Sequence, residues 1–108
     1  MRQVFADMEM QASLRNGIAE ITLTMNHPME TGHRLDAAGN PVAAHFIQLV
    51  QVSHNGFEVL EAQWGTGIAS DPQLVFYLAD AQAGDVVSVQ WHDNKGTSGR
   101  HAILLASA

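Results

Sequence analysis

The stretch Val4 to Met25, VFADMEMQASLRNGIAEITLTM, decides the fold class. From Val4 to Leu14 its even positions are apolar (Val4, Ala6, Met8, Met10, Ala12, Leu14), while Asp7, Glu9, Gln11 and Ser13 between them are polar. Phe5 alone breaks the pattern. A repeat of two residues is the signature of a strand with one buried face. Asn16-Gly17 follows, and both residues tolerate the positive φ that a tight hairpin turn needs at its centre. Ile18 to Met25 then resumes the alternation, with Ile21, Leu23 and Met25 inward and Glu20, Thr22 and Thr24 outward. The reading is a β-hairpin.

Working outward, the pattern stops after His27-Pro28 for about twenty residues rich in turn chemistry. Within them Asp36 to Pro41 predicts a small hairpin tip. Strand character returns at His45 to Val52, and Asn55-Gly56 turns it into Phe57 to Trp64, with Leu60, Ala62 and Trp64 on one face. Gly65 to Pro72 is a second irregular crossing. Leu74, Phe76 and Leu78 share a face in the next strand, as do Val87, Val89 and Trp91 in the one after. Asn94-Lys95-Gly96 turns the chain into a last strand ending near Ala106. About seven strands, three hairpins, two long crossings and no helix predict an all-β protein, an immunoglobulin-like antiparallel β-sandwich. Residues 1–108 read as one domain.

One strand departs from the in/out rule. In His45 to Ser53, Phe46, Val50 and Val52 fall on one face and Ile47 and Leu49 on the other, so both faces are apolar. Either the chain's own long loop covers the outer face, or Ile47 and Leu49 anchor another protein.

Composition bounds the function. The 108 residues are 46% hydrophobic and 15% charged, a globular composition. Five Lys+Arg against eleven Asp+Glu give a net charge of -6. Nucleic acid and anionic membrane surfaces are therefore not expected partners, since no basic surface is available to meet them. The chain has no cysteine, which excludes disulfides, a thiolate metal site and a cysteine nucleophile. Met1 to Met10 lacks the apolar run of a signal peptide, so the chain is expected to carry no address of its own.

The polar residues suggest no catalysis. His27, His33, His45, His54, His92 and His101 show no HxH or HxxxH spacing, and strands need i, i+2 pairs to place two ligands on one face. Surface or loop positions account for most of them, with His45 the one to watch. No pair of carboxylates, nucleophile motif or phosphate-cradling loop is visible. Trp64 and Trp91 fall on inward positions and read as core. The expectation is a binding module with no catalytic residues, no metal and no cofactor.

Five blocks carry a resemblance: His27-Pro28-Met29-Glu30-Thr31-Gly32, Ala44-His45-Phe46-Ile47, Val59 to Gly65, Ala83-Gly84-Asp85, and Trp91 to Gly96. In this order and spacing the chain resembles the SoxZ family, subunits of the thiosulfate-oxidation carrier complex SoxYZ. The resemblance implies a non-catalytic, periplasmic subunit bound to SoxY, whose glycine-rich arm carries sulfur intermediates on a cysteine. It further implies export together with a partner that bears the signal, and contact with other sulfur-oxidation enzymes through the complex. A cysteine-free chain cannot be the sulfur-bearing half. On this reading His27, Pro28, Met29, Glu30 and His45 lie near the partner or the path of its arm, Ile47 and Leu49 anchor the partner, and the isolated chain is expected to pair as a homodimer. Two alternatives stay open: a histidine-based metal-binding sandwich, and a carrier-like module of another periplasmic dehydrogenase system.

Overall fold

The computed structural model describes residues 1–107. Eight strands form: β1 Arg2–Val4, β2 Met8–Arg15, β3 Ile18–Met25, β4 Ile47–His54, β5 Phe57–Gln63, β6 Gln73–Leu78, β7 Val86–Asp93 and β8 Ser98–Leu104. They make two antiparallel four-stranded sheets, ordered β1-β2-β3-β6 and β5-β4-β7-β8. The chain changes sheet between β3 and β4, between β5 and β6, and again between β6 and β7. These crossovers are the Greek-key connections of an immunoglobulin-like sandwich.

The predicted hairpin is present in full register, from Met8 opposite Met25 to Arg15 opposite Ile18. Its turn has φ of 51° at Asn16 and 78° at Gly17, the left-handed pair that matches strand twist. Asn55 and Gly56 repeat it with 49° and 87°. Met8, Met10, Ile21, Leu23 and Met25 meet Ile47, Val50, Val52, Val87 and Val89 in one core. Each large aliphatic side chain there contributes roughly 1.5–3 kcal/mol by leaving water. Trp91 is buried and Trp64 packs half-buried against the core edge.

Two expectations need correction. The first strand is two strands, which makes eight rather than seven: the chain doubles back at Phe5–Asp7, where the Phe5 N–H donates to the Met8 carbonyl at 2.7 Å. Phe5, the residue that broke the alternation, leaves the sheet pattern and stacks on His101 with ring centroids 3.9 Å apart.

The second correction concerns Ile47, which is not on the outer face. A register shift between Ile47 and Leu49 makes Gln48 an extra residue, so Ile47 and Val50 both point inward. Ile47 has no exposed surface and belongs to the core, not to an exposed anchor. Leu49 does face outward, half-buried, but its neighbours there are Gln51, Gln63 and His92. That face is polar.

Between β3 and β4 the chain forms a long irregular hairpin. Backbone bridges join Glu30 to His45 and Leu35 to Pro41, and residues 33–41 are all exposed. The Asp36–Pro41 tip is present, closed by the Asp36 N–H to the Asn40 carbonyl at 2.8 Å. The radius of gyration is 15.7 Å, against about 13 Å for a compact domain of this length.

Candidate functional site

At the end of the sandwich where this hairpin is rooted, three distant segments meet on one carboxylate. The inward side of β3 continues past the strand from Met25 to His27 and Met29, all buried, and the inward side of β7 runs Val87, Val89, Trp91, Asp93. A strand position that faces the core must find partners if it is charged. Asp93 finds four. Its Oδ2 accepts from His27 Nε2 at 3.2 Å and His45 Nε2 at 2.7 Å. Its Oδ1 accepts the N–H groups of Lys95 and Thr97, each at 2.9 Å.

The tautomers follow from the partners. His27 Nδ1 accepts the Met29 N–H at 3.1 Å, so the proton of the neutral ring sits on Nε2 and is donated to Asp93. Met29 reaches that position with φ of 49°, a left-handed conformation uncommon for a residue with a side chain. Its sulfur accepts the Ile47 N–H at 3.3 Å. The His27 ring also meets His45 and Trp91 edge-on, with centroids 4.5 and 5.8 Å away. Asn94, next to Asp93, clamps the returning strand of the hairpin: its Oδ1 accepts the Phe46 N–H at 2.8 Å and its Nδ2 donates to the Ala44 carbonyl at 2.9 Å.

Burial by itself would raise the Asp93 carboxyl, but hydrogen bonds from His45, His27, Thr97 and Lys95 outweigh it and hold the group below its ordinary value. Folding thus weakens proton binding, so the stabilisation is complete above about pH 5, declines as pH falls through about 4, and is gone below the depressed folded value. Urea midpoints of the wild type and Asp93→Asn are expected to differ most at neutral pH and to converge in acid. A gap that stays constant with pH would contradict this.

The sequence-derived site residues fall into two groups. His27 and Met29 are buried, while Pro28 is exposed and Glu30 and His45 are partly exposed. Glu30 takes a bidentate ion pair from Arg34, with contacts of 2.7–3.0 Å, and this holds its carboxyl low. Ile47 lies beneath this surface, buried and opposite Asp93 across β4 and β7, whereas Leu49 turns to the outer polar face. Asp93 was missed, although its inward position in the Val87-Val89-Trp91 series was the available signal.

His27, His45 and Asp93 offer ligand atoms within 4.8 Å of one another. Their hydrogen bonding is unlike that of a metal centre, where a ligating histidine donates its second N–H outward. Here His27 Nδ1 receives a backbone proton, and Nε2 is spent on Asp93. The carboxylate, saturated by four donors, has no lone pair free to take a substrate proton.

Two further aspartate–histidine pairs do the same structural work. His54 bonds Asp85 at 2.8 Å, and Asp7 accepts from His101 and from the Trp91 indole, the latter at 3.0 Å. Four of the six histidines thus tie irregular segments to the sheets.

Among the described residues the buried polar side chains, His27 and Asp93, are committed to holding loops, and no buried side-chain polar atom lacks a partner. The family model "Sulphur oxidation protein SoxZ" matches residues 8–103, and the chain belongs to the SoxZ family. Membership makes it a non-catalytic subunit of the SoxYZ sulfur-oxidation carrier complex, with SoxY as its partner. A comparison with curated proteins finds no match. No helix long and apolar enough to cross a membrane occurs among the described residues.

Proposed function

We propose that the 27–46 hairpin and its Asp93 root flank the path of the cysteine-bearing arm of SoxY. The observation that supports this is convergence: the segments His27–Gly32, Ala44–Ile47 and Trp91–Gly96, which carry most of the family resemblance, meet at Asp93. Pro28, Glu30 and His45 present the accessible surface, and buried His27 and Met29 position it from below. With Nε2 committed to Asp93, His45 has Nδ1 left to hydrogen-bond the arm or an anionic sulfur adduct. The complex acts in the periplasm, exported with its signal-bearing partner, and meets the other sulfur-oxidation enzymes through SoxY.

The test is a reconstituted SoxYZ assay. Wild-type chain is expected to co-purify with SoxY and support thiosulfate turnover. His45→Ala should keep the complex but slow turnover about fivefold, the value of one hydrogen bond near 1 kcal/mol. Unchanged turnover by a folded His45→Ala complex would remove the role assigned to this surface.

A further inference from the structure

The four sheet edges of this sandwich are not equally protected. A bare edge is a template for another strand, and monomers blunt it with brevity, charge, proline or a bulge. β1 is three residues long and carries Arg2. β5 carries Glu58 and Glu61 and a register shift opposite Val52/Ser53. β8 carries Arg100 and Gly99. β6 has none of these devices: its six residues are Gln73-Leu74-Val75-Phe76-Tyr77-Leu78, in unbroken register with β3.

The free groups on that edge can be assigned. The Met25 N–H donates to the Pro72 carbonyl at 2.9 Å, which sets the phase of the antiparallel ladder. Leu74, Phe76 and Leu78 therefore turn their N–H and C=O groups toward β3. Gln73, Val75 and Tyr77 turn theirs to the open side, with no backbone partner among the described residues. The side chains of Val75 and Tyr77 are 47% and 66% exposed on the outer face.

We propose that β6 is where SoxY docks, by adding an extended segment antiparallel or parallel to Gln73–Leu78 and placing alternate apolar side chains against Val75 and Tyr77. Strand addition of this kind draws affinity from main-chain bonds and specificity from alternate side chains. This rests on the SoxY-binding reading above and gives it a location.

Charge argues against a second copy as the occupant. β6 is flanked by Asp71 and Asp80. Two-fold antiparallel pairing through the open groups of Gln73, Val75 and Tyr77 is centred on Val75 and sets Asp71 of one copy beside Ala79 and Asp80 of the other, twice, in chains of net charge -6. A partner strand with neutral or basic flanks escapes that repulsion. The position also fits the site: Asp71 exchanges hydrogen bonds with the His27 backbone, at 2.9 Å to its carbonyl and 3.1 Å from its N–H. A segment lying along β6 therefore ends beside the Asp93 junction.

The experiment measures SoxY affinity for the full chain and for Val75→Pro, Tyr77→Lys and Leu49→Lys, with sedimentation velocity of each alone. Val75→Pro removes an N–H that the sheet does not use, so the fold is retained, and Tyr77→Lys confirms the result without touching the backbone. Each is expected to weaken SoxY binding by about tenfold or more, while Leu49→Lys binds as wild type. If wild type binds SoxY and both β6 variants, folded by circular dichroism, bind equally well, the docking site is overturned. Loss of binding in Leu49→Lys alone would move the partner to the β4 face and overturn it too. A wild-type homodimer broken by Val75→Pro with SoxY affinity unchanged would identify a second copy as the occupant, and so refute the proposal. Failure of wild type itself to bind SoxY would instead remove the partner reading on which the proposal rests.

Discussion

Asp93→Ala is expected to be among the most destabilising single substitutions in this chain. It removes an acceptor that satisfies four donors at once. His27, 5% exposed, would keep a buried Nε2–H with no partner, and the Lys95 and Thr97 amides would lose theirs. Breaking a buried charged network from one side costs roughly 3–5 kcal/mol. In a domain of about 100 residues each kcal/mol moves Tm by about 4–8 °C, so a fall of at least about 12 °C is expected. Thermal unfolding followed by circular dichroism checks it. A shift of only two or three degrees would mean that water replaces the carboxylate, and that the junction is not a structural root.

The second large effect belongs to Gly99. It lies opposite Trp91 in the β7–β8 ladder, and the indole occupies the space a side chain would need. A Cβ at Gly99 would collide with Asp7 Oδ2 and with Nε1 and Cε2 of Trp91. The Asp7 oxygen can swing aside, but the Trp91 ring is 5% exposed and has no free direction. Gly99→Ala must therefore displace the ring and stretch its bond to Asp7, at an expected cost of about 2–3 kcal/mol. Urea denaturation measures that cost. Tryptophan emission in a Trp64→Phe background reports directly on Trp91, and an unshifted spectrum with wild-type stability would sink the prediction.

Much of the sandwich was legible in the sequence because its cause is local. Alternation placed Ile21, Leu23, Met25, Val87, Val89 and Trp91 inward, and Asn-Gly chemistry placed two of the turns, all as observed. Failures arose where one residue changes phase. The turn at Phe5–Asp7 and the extra residue Gln48 each shift the inward set, and neither carries a glycine or proline to announce it. The candidate site was half legible. His27, Glu30 and His45 stood out by residue type and by resemblance, whereas their meeting on Asp93 depends on tertiary closure that no spacing encodes. Even so, both Asp93 and His27 continue an inward alternation, and a polar residue there is a request for a partner.

The convergence on Asp93 also has a kinetic meaning. Its side-chain bonds span 66 residues to His27 and 48 to His45, whereas the β2–β3 and β4–β5 hairpins close over two-residue turns. Loop closure favours the short connections first, so the hairpins are expected to assemble early and the Asp93 bonds late. A chevron of Asp93→Ala is expected to show faster unfolding with folding nearly unchanged. Interactions that form late leave the folding rate almost untouched and act on the escape rate instead. On that ordering the junction is expected to set the lifetime of the folded subunit more than the speed at which it folds.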